Sequence, residues 1–251
     1  MSTGRLVAIA LVAAASLVRP VGVSGQGRGG PPATPRASAP IELTGYWVAF
    51  VTEDWRYRMV TPAKGDYRGI PITLEALKIV NAWDPAADEA AGNACKSYGA
   101  GAVMRLPGRI HITWQDDNTL KLDTDAGTQT RLFRFAAQSG PPGPPTWQGD
   151  SAARWEVAGG RGGAARAGSL TVVTTNMRAG YLRKNGVPYS ESARVTEYFD
   201  LASQSNGPPL LVVTTVVDDP RYLTQQFIVS SHFKKEADGS KWDPTPCSAA
   251  W

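Results

Sequence analysis

Apolar and polar residues keep two rhythms along this chain. From Gly99 onward the period is two. Arg109–Gln115, Thr119–Thr124, Thr128–Ala136 and Trp147–Val157 alternate, with short polar turns such as Pro107-Gly108, Asp117-Asn118 and Ala126-Gly127 between the earlier ones. Ala102–Leu106 reads as the first arm of a hairpin with Arg109–Gln115. The last third is the clearest: Ser169–Asn176, Ala193–Leu201, Leu210–Asp218 and Tyr222–Lys235 are rich in Val, Thr, Ile, Tyr and Phe, which pleated surfaces favour. Upstream, Leu43–Thr52 and Trp55–Val60 also read as strands. Between them and Gly99 the period becomes helical. Thr73 is an N-cap before Leu74, Leu77 and Val80, the helix ends near Trp83, and Ala-rich Pro85–Ala94 adds a turn or two.

Met177–Ser192 carries an Asn185-Gly186 turn in a connection long enough to serve as a lid or rim. The pattern predicts an all-β fold, an antiparallel up-and-down barrel of 8–10 strands with a helical insertion near residues 73–94. A two-sheet sandwich is the alternative.

The first 25 residues change the setting. Arg5, the apolar run Leu6–Val18 and the small residues Val23-Ser24-Gly25 form a secretory leader, too short for a membrane span. No Cys follows that run, so no stable membrane anchor is expected, and the compartment is periplasmic or secreted. Residues 26–41, rich in Gly, Pro, Ala and Arg, read as a disordered linker, leaving residues 42–251 as one domain.

The chain holds 26 Lys and Arg against 22 Asp and Glu, but Arg5, Arg19, Arg28 and Arg36 precede the domain, which is then formally neutral. That balance gives no electrostatic case for nucleic acid. The two cysteines, Cys95 and Cys247, read as a disulfide in an oxidising compartment. A loop of about 150 residues corresponds to roughly 4–5 kcal/mol in the chain-entropy model.

Segments TGYW (from Thr44), WQG (from Trp147), NGVPYS (from Asn185), TEYFD (from Thr196), VVDDPRYL (from Val216) and HFKK-x-x-DGSKW-x-P-x-PC (from His232) resemble a family of exported, lipocalin-like proteins of soil bacteria. The likeness runs from about Leu43 to Cys247. It implies a calycin-type barrel and export, and it carries no reaction and no catalytic residues.

Signatures of common enzymes are missing: no G-x-S-x-G elbow, no phosphate-binding G-x-x-x-x-G-K-[ST] loop, no H-E-x-x-H. With only His111 and His232, no metal site and no cofactor are expected. Glu197 sits mid-strand between Val195 and Phe199 on an apolar face. A buried carboxylate there needs an arginine, Arg131 or Arg134, or else has a raised pKa suited to proton transfer. His232 is the other acid–base candidate. Asp218-Asp219-Pro220 reads as a turn capped by Asx-type bonds.

Eight Trp and eight Tyr supply core, and in a barrel that keeps a cavity some would line it. The expected function is binding of a small apolar or aromatic molecule in the lumen by Trp114, Trp147, Tyr181, Tyr189, Tyr222 and Arg134. The alternatives are an isomerase, cyclase or hydratase using Glu197 or His232, and a filled barrel with a structural or interaction role.

Overall fold

The computed structural model describes residues 33–136, 142–158 and 167–250. The leader and the Gly-rich stretch 159–166 lie outside them. The described residues form eleven strands: β1 (Gly45–Ala49), β2 (Arg109–Asp116), β3 (Thr119–Thr124), β4 (Thr130–Arg134), β5 (Asp150–Ala158), β6 (Ala167–Thr175), β7 (Gly180–Arg183), β8 (Val187–Tyr189), β9 (Arg194–Gln204), β10 (Gly207–Asp218) and β11 (Phe227–Lys235). Nine of them close into a barrel in the order β1-β11-β10-β9-β6-β5-β4-β3-β2, and β7 and β8 make a separate ribbon.

A closed ring of nine strands cannot alternate in direction all the way round. One neighbouring pair must be parallel, and it is β4–β5, with Phe133 opposite Ser151 and Arg134 opposite Ala152. The up-and-down antiparallel barrel expected from the pattern is corrected at this point. Alternation along each strand reports burial and says nothing of the direction of the neighbour.

Three further local readings change. Trp55–Val60 holds a single helical turn, α1 (Trp55–Arg58), entered through Asp54 at φ 50°. Alternation over six residues does not separate a strand from one turn of helix, and the buried Arg58 is placed by its tertiary partners. Ala102–Leu106 is no hairpin arm but a 3-10 turn, Val103–Arg105. Its neighbours Gly99 and Gly101 lie against the Tyr189 ring, where a Cβ on Gly99 would sit 2.2 Å from the phenol oxygen. The fifth strand begins at Asp150, three residues after Trp147. The helical insertion appears as expected. In α2 (Leu74–Ala82) the Thr73 Oγ1 accepts the Ala76 N–H at 3.3 Å, and in α3 (Pro85–Ala90) Asp84 accepts from Ala86 and Ala87.

The two ends of the barrel differ. β2–β3 and β9–β10 turn tightly at one end, at Asp117-Asn118 and Ser205-Asn206. Connections 50–108, 176–193 and 219–226 all lie at the other end and build a lid. The disulfide Cys95–Cys247 ties the C-terminal tail into that lid, with the Cα atoms 5.1 Å apart. Such a bond belongs to an oxidising compartment. No helix among the described residues is long and apolar enough to cross a membrane.

The tight-turn end is closed by Trp114, Phe135 and Trp155, whose rings pack at 5.3–6.4 Å. The described part of the expected linker lies here too: Trp155 Nε1 donates to Pro35 O at 2.8 Å and Arg36 N to Asp117 O at 3.2 Å.

Side chains from all nine barrel strands meet in one core cluster that includes Trp47, Ile112, Leu122, Phe133, Leu170, Phe199, Leu211 and Phe233. The space expected along the axis is therefore occupied by the core itself. Inside it, Arg131 and Glu197 form a two-pronged pair, Nη1–Oε1 2.9 Å and Nη2–Oε2 2.5 Å, and Arg131 also reaches Thr174 Oγ1 at 3.2 Å. Both charged side chains are fully buried. The pair satisfies the carboxylate that the sequence placed on an apolar face.

Arg131→Met should cost about 3–5 kcal/mol in denaturant unfolding because Glu197 is left buried and unpaired, whereas Arg131→Met/Glu197→Leu should recover most of that loss. Equal losses in the two variants would refute the assignment. Cys95→Ala/Cys247→Ala opens a loop of 152 residues. It should lower stability by about 3–5 kcal/mol, read in the same titration.

Candidate functional site

The lid is assembled from segments that must be fastened to one another before they can hold anything. The tip of the β7–β8 ribbon, Lys184-Asn185-Gly186, is held by Asn185 Nδ2, which donates to Ala63 O at 2.9 Å and Asp66 O at 2.7 Å. Gly186 has φ +85° and lies on the Trp83 ring, where a Cβ would come within 2.4 Å. The base of the ribbon is locked by buried Asp219. Its carboxylate accepts the Ser190 N–H at 2.6 Å, the Ser190 hydroxyl at 2.8 Å and the Arg221 N–H at 3.0 Å. This is the Asx-type capping expected of Asp218-Asp219-Pro220. Tyr181 donates to Asp88 at 2.8 Å, and Lys96 Nζ reaches the same carboxylate at 2.5 Å.

Between this ribbon and the 50–108 connection lies a cavity of about 20 Å³. Its wall includes Arg58, Thr61, Ser97, Arg105, Arg183 and Lys184. The three arginines are 4%, 6% and 5% exposed. Arg58 Nε donates to Arg105 O at 2.8 Å and Nη1 pairs with Glu53. Arg105 Nη2 meets Asp54 Oδ2 at 3.0 Å. Arg183 Nη2 donates to Arg68 O at 3.0 Å, and its guanidinium lies 4.1 Å over the Tyr57 ring. One nitrogen of each is left over: Arg58 Nη2, Arg105 Nη1 and Arg183 Nε have no hydrogen-bond partner among the described residues, and neither has Thr61 Oγ1.

Each buried charged donor left unsatisfied costs about 1–3 kcal/mol or more. Three such arginines and the uncharged Thr61 hydroxyl line one cavity, while Arg131 Nε inside the barrel is likewise without a partner. Electrostatics agree with the geometry. Burial lowers the Arg58 pKa, and Arg105 beside it lowers it further against the pull of Glu53. Burial and then the Arg105 charge push Arg183 down to about 10. Burial alone brings Lys184, whose Nζ lies 2.8 Å from the Tyr98 hydroxyl, down to about 7. Glu53 pairs with Arg58 and Asp54 with Arg105, and the charges of Asp54 and Asp66 act on Arg183. The cavity wall carries no His, Cys or carboxylate. The arrangement can receive an anion, with no carboxylate or imidazole there to move a proton.

The residues singled out from the sequence do not converge. Glu197 is inside the barrel with Arg131. His232 is on the outer wall, its Nδ1 3.2 Å from Thr52 Oγ1 and from Glu53 Oε2. Arg134 alternates with the inward Arg131 and Phe133, so it points outward, beside Arg194 in a surface depression of about 460 Å³. Trp114 closes the tight-turn end. Trp147 lies on the lid surface with the Arg178 guanidinium 4.0 Å above its ring. Tyr181 is bound to Asp88, Tyr189 is buried against Gly99 and Gly180, and Tyr222 lies under Arg221 at 5.0 Å.

None of these residues lines the cavity. Arg58, Arg105, Arg183 and Lys184 were not singled out. The readable signal was the Met177–Ser192 connection, which does supply Arg183 and Lys184. Among the described residues no group of three or more His, Cys, Asp or Glu could hold a metal ion. No family model, curated protein or solved structure matches this chain.

Lys184 also sets a pH dependence. Its ordinary pKa is 10.5 and its folded one is about 7. Between these values the unfolded chain binds the proton and the folded chain does not, so stability rises with pH, by up to about 1.4 kcal/mol per unit. Below pH 7 both states bind it and the penalty is constant. The stability of the parent protein relative to Lys184→Met should therefore grow between pH 7 and 10, measured by urea unfolding at several pH values. A difference independent of pH would refute it.

Proposed function

We propose that this protein is an exported β-barrel that binds a small anionic molecule beneath its lid. One observation carries the reading: three buried arginines and a threonine that line a single cavity each keep a side-chain polar atom without a hydrogen-bond partner among the described residues. An anion there would bring acceptors to donors that lack them, and charge-assisted bonds to arginine are the strong ones. The barrel core then acts as a rigid base for the lid. The leader sequence and the disulfide support work outside the cytoplasm. The lipocalin-like resemblance supports a barrel-based binding protein, with the ligand moved from the lumen to the lid because the lumen is filled.

The test is calorimetric titration at constant ionic strength with acetate, benzoate, chloride and inorganic phosphate, alongside thermal unfolding. At least one anion should bind stoichiometrically and raise the melting temperature as mass action requires. Arg105→Gln and Arg183→Gln, checked for fold by circular dichroism, should each weaken binding by about 10–100-fold. Absence of any anion-dependent heat and stabilisation, or binding undiminished in both variants, would overturn the proposal.

A further inference from the structure

A row of side chains crosses four strands on the outer wall of the barrel. Tyr46 on β1 pairs in register with His111 on β2, His111 with Asp123 on β3, and Asp123 with Thr130 on β4. Their chain neighbours Trp47, Ile110, Leu122 and Arg131 are buried inside, so the strand period of two turns this row outward. The C-terminal tail passes over it. Ahead of Trp242 the tail is fastened by Glu236 N, which donates to Tyr46 O at 2.9 Å. Beyond it Thr245 N donates to Asp125 O at 2.9 Å, and the disulfide follows at Cys247. Row and tail bound a groove of about 230 Å³ whose wall includes Tyr46, His111, Asp123, Thr130, Trp242 and Pro244. The groove shares no lining residue with the lid cavity.

Three of these residues form one aromatic cluster. The Tyr46 and His111 rings stack in parallel 3.9 Å apart, which leaves no slot between them for a flat molecule, and Trp242 meets them edge-on at 5.8 and 6.2 Å. Each ring has a polar edge, and the Tyr46 hydroxyl, the His111 nitrogens and Trp242 Nε1 have no hydrogen-bond partner among the described residues. Burial lowers the His111 pKa against the pull of Asp123, with Lys121 adding to the fall, so at pH 7 the ring is neutral and offers one donor and one acceptor. The Asp123 charge is met by Lys121 Nζ at 2.8 Å, and its carboxylate accepts the Thr130 hydroxyl at 2.6 Å. The groove therefore combines aromatic surface with polar edges and no unpaired charge.

A sugar ring has the matching surface: its C–H faces pack on aromatic rings while its hydroxyls take the polar edges in place of water. A volume below the roughly 300–1,000 Å³ of drug-sized sites suits a single ring. We propose that this groove binds one neutral hexopyranose unit, free or at the end of a glycan, against Trp242 and His111, with its hydroxyls on Tyr46, His111, Trp242 and Asp123. The tail, fastened on both sides of Trp242, holds that ring in position before the sugar arrives and so reduces the ordering left to binding.

The experiment titrates the full protein with glucose, galactose, mannose, N-acetylglucosamine, maltotriose and chitotriose, read by calorimetry and by NMR of the indole N–H groups. At least one of the six should bind one to one and shift the Trp242 indole resonance, assigned by its loss in Trp242→Phe. Trp242→Phe and Tyr46→Phe each keep a ring and remove its polar edge, and each should weaken binding about 3–10-fold with the unfolding transition retained. Glucuronate, glucosamine and indole should bind no better than the best neutral sugar. A trimer bound as tightly as its monomer supports a glycan end, and a trimer turned away supports the free sugar. Silence from all six sugars, affinity undiminished in both variants, or preference for a charged analogue or for indole would overturn the inference.

Discussion

A ring of nine strands must contain one parallel pair, and that requirement shapes the molecule beyond the sheet. Strands β4 and β5 both run away from the lid, so the chain between them has to return the full length of the barrel. It arrives beside the lid as Thr146-Trp147-Gln148. Trp147 O accepts the Ala100 N–H at 3.0 Å, and Gln148 Nε2 donates to Tyr98 O at 2.7 Å and Gln129 Oε1 at 2.9 Å. Thr146 bridges to Met177 on the other side. The returning segment thus joins the helical insertion to the ribbon connection. An even-stranded, fully antiparallel barrel would have closed without needing this return.

That support matters because buried side chains from all nine barrel strands cluster inside the barrel. Its axis is held by aromatic and aliphatic side chains and by the Arg131–Glu197 pair, and interiors packed to this degree yield little. The cavity with the unpaired arginine nitrogens lies instead in the lid, where long connections meet. Arg131 in the barrel core also keeps one nitrogen unbonded, so what distinguishes the lid is that three such arginines line one cavity.

Much of the architecture was legible because it rests on local period. The strands, the helical insertion with its Thr73 and Asp84 caps, the barrel class, the Cys95–Cys247 bond and the Asp219 turn all follow from residues near in sequence or from simple chemical need. Glu197 was legible too: a carboxylate between Val195 and Phe199 has few stable options, and Arg131 is the one the fold uses. What failed to show depends on neighbours distant along the chain. The parallel pair is a matter of closure. The filled lumen is a matter of side-chain volume summed over nine strands. The aromatic residues chosen as ligand contacts were chosen by type, and type does not say which face or which end of the barrel a residue occupies. The arginines of the cavity come from positions 58, 105 and 183, each unremarkable in its own stretch of sequence.

The same site explains why the staple is where it is. Cys95 lies in the short 3-10 helix Ala94–Tyr98, which also supplies Ser97 to the cavity wall and Tyr98 to Lys184. Cys247 brings the tail against that turn, and Ser248 N donates to the Tyr98 hydroxyl at 3.3 Å. The lid also has its own hydrophobic cluster, with Ile70, Val80, Met177, Leu182, Val187, Tyr189 and Leu223. A covalent bond lies directly behind the wall. It ties the C-terminal tail to the 3-10 helix that supplies Ser97 to the cavity wall.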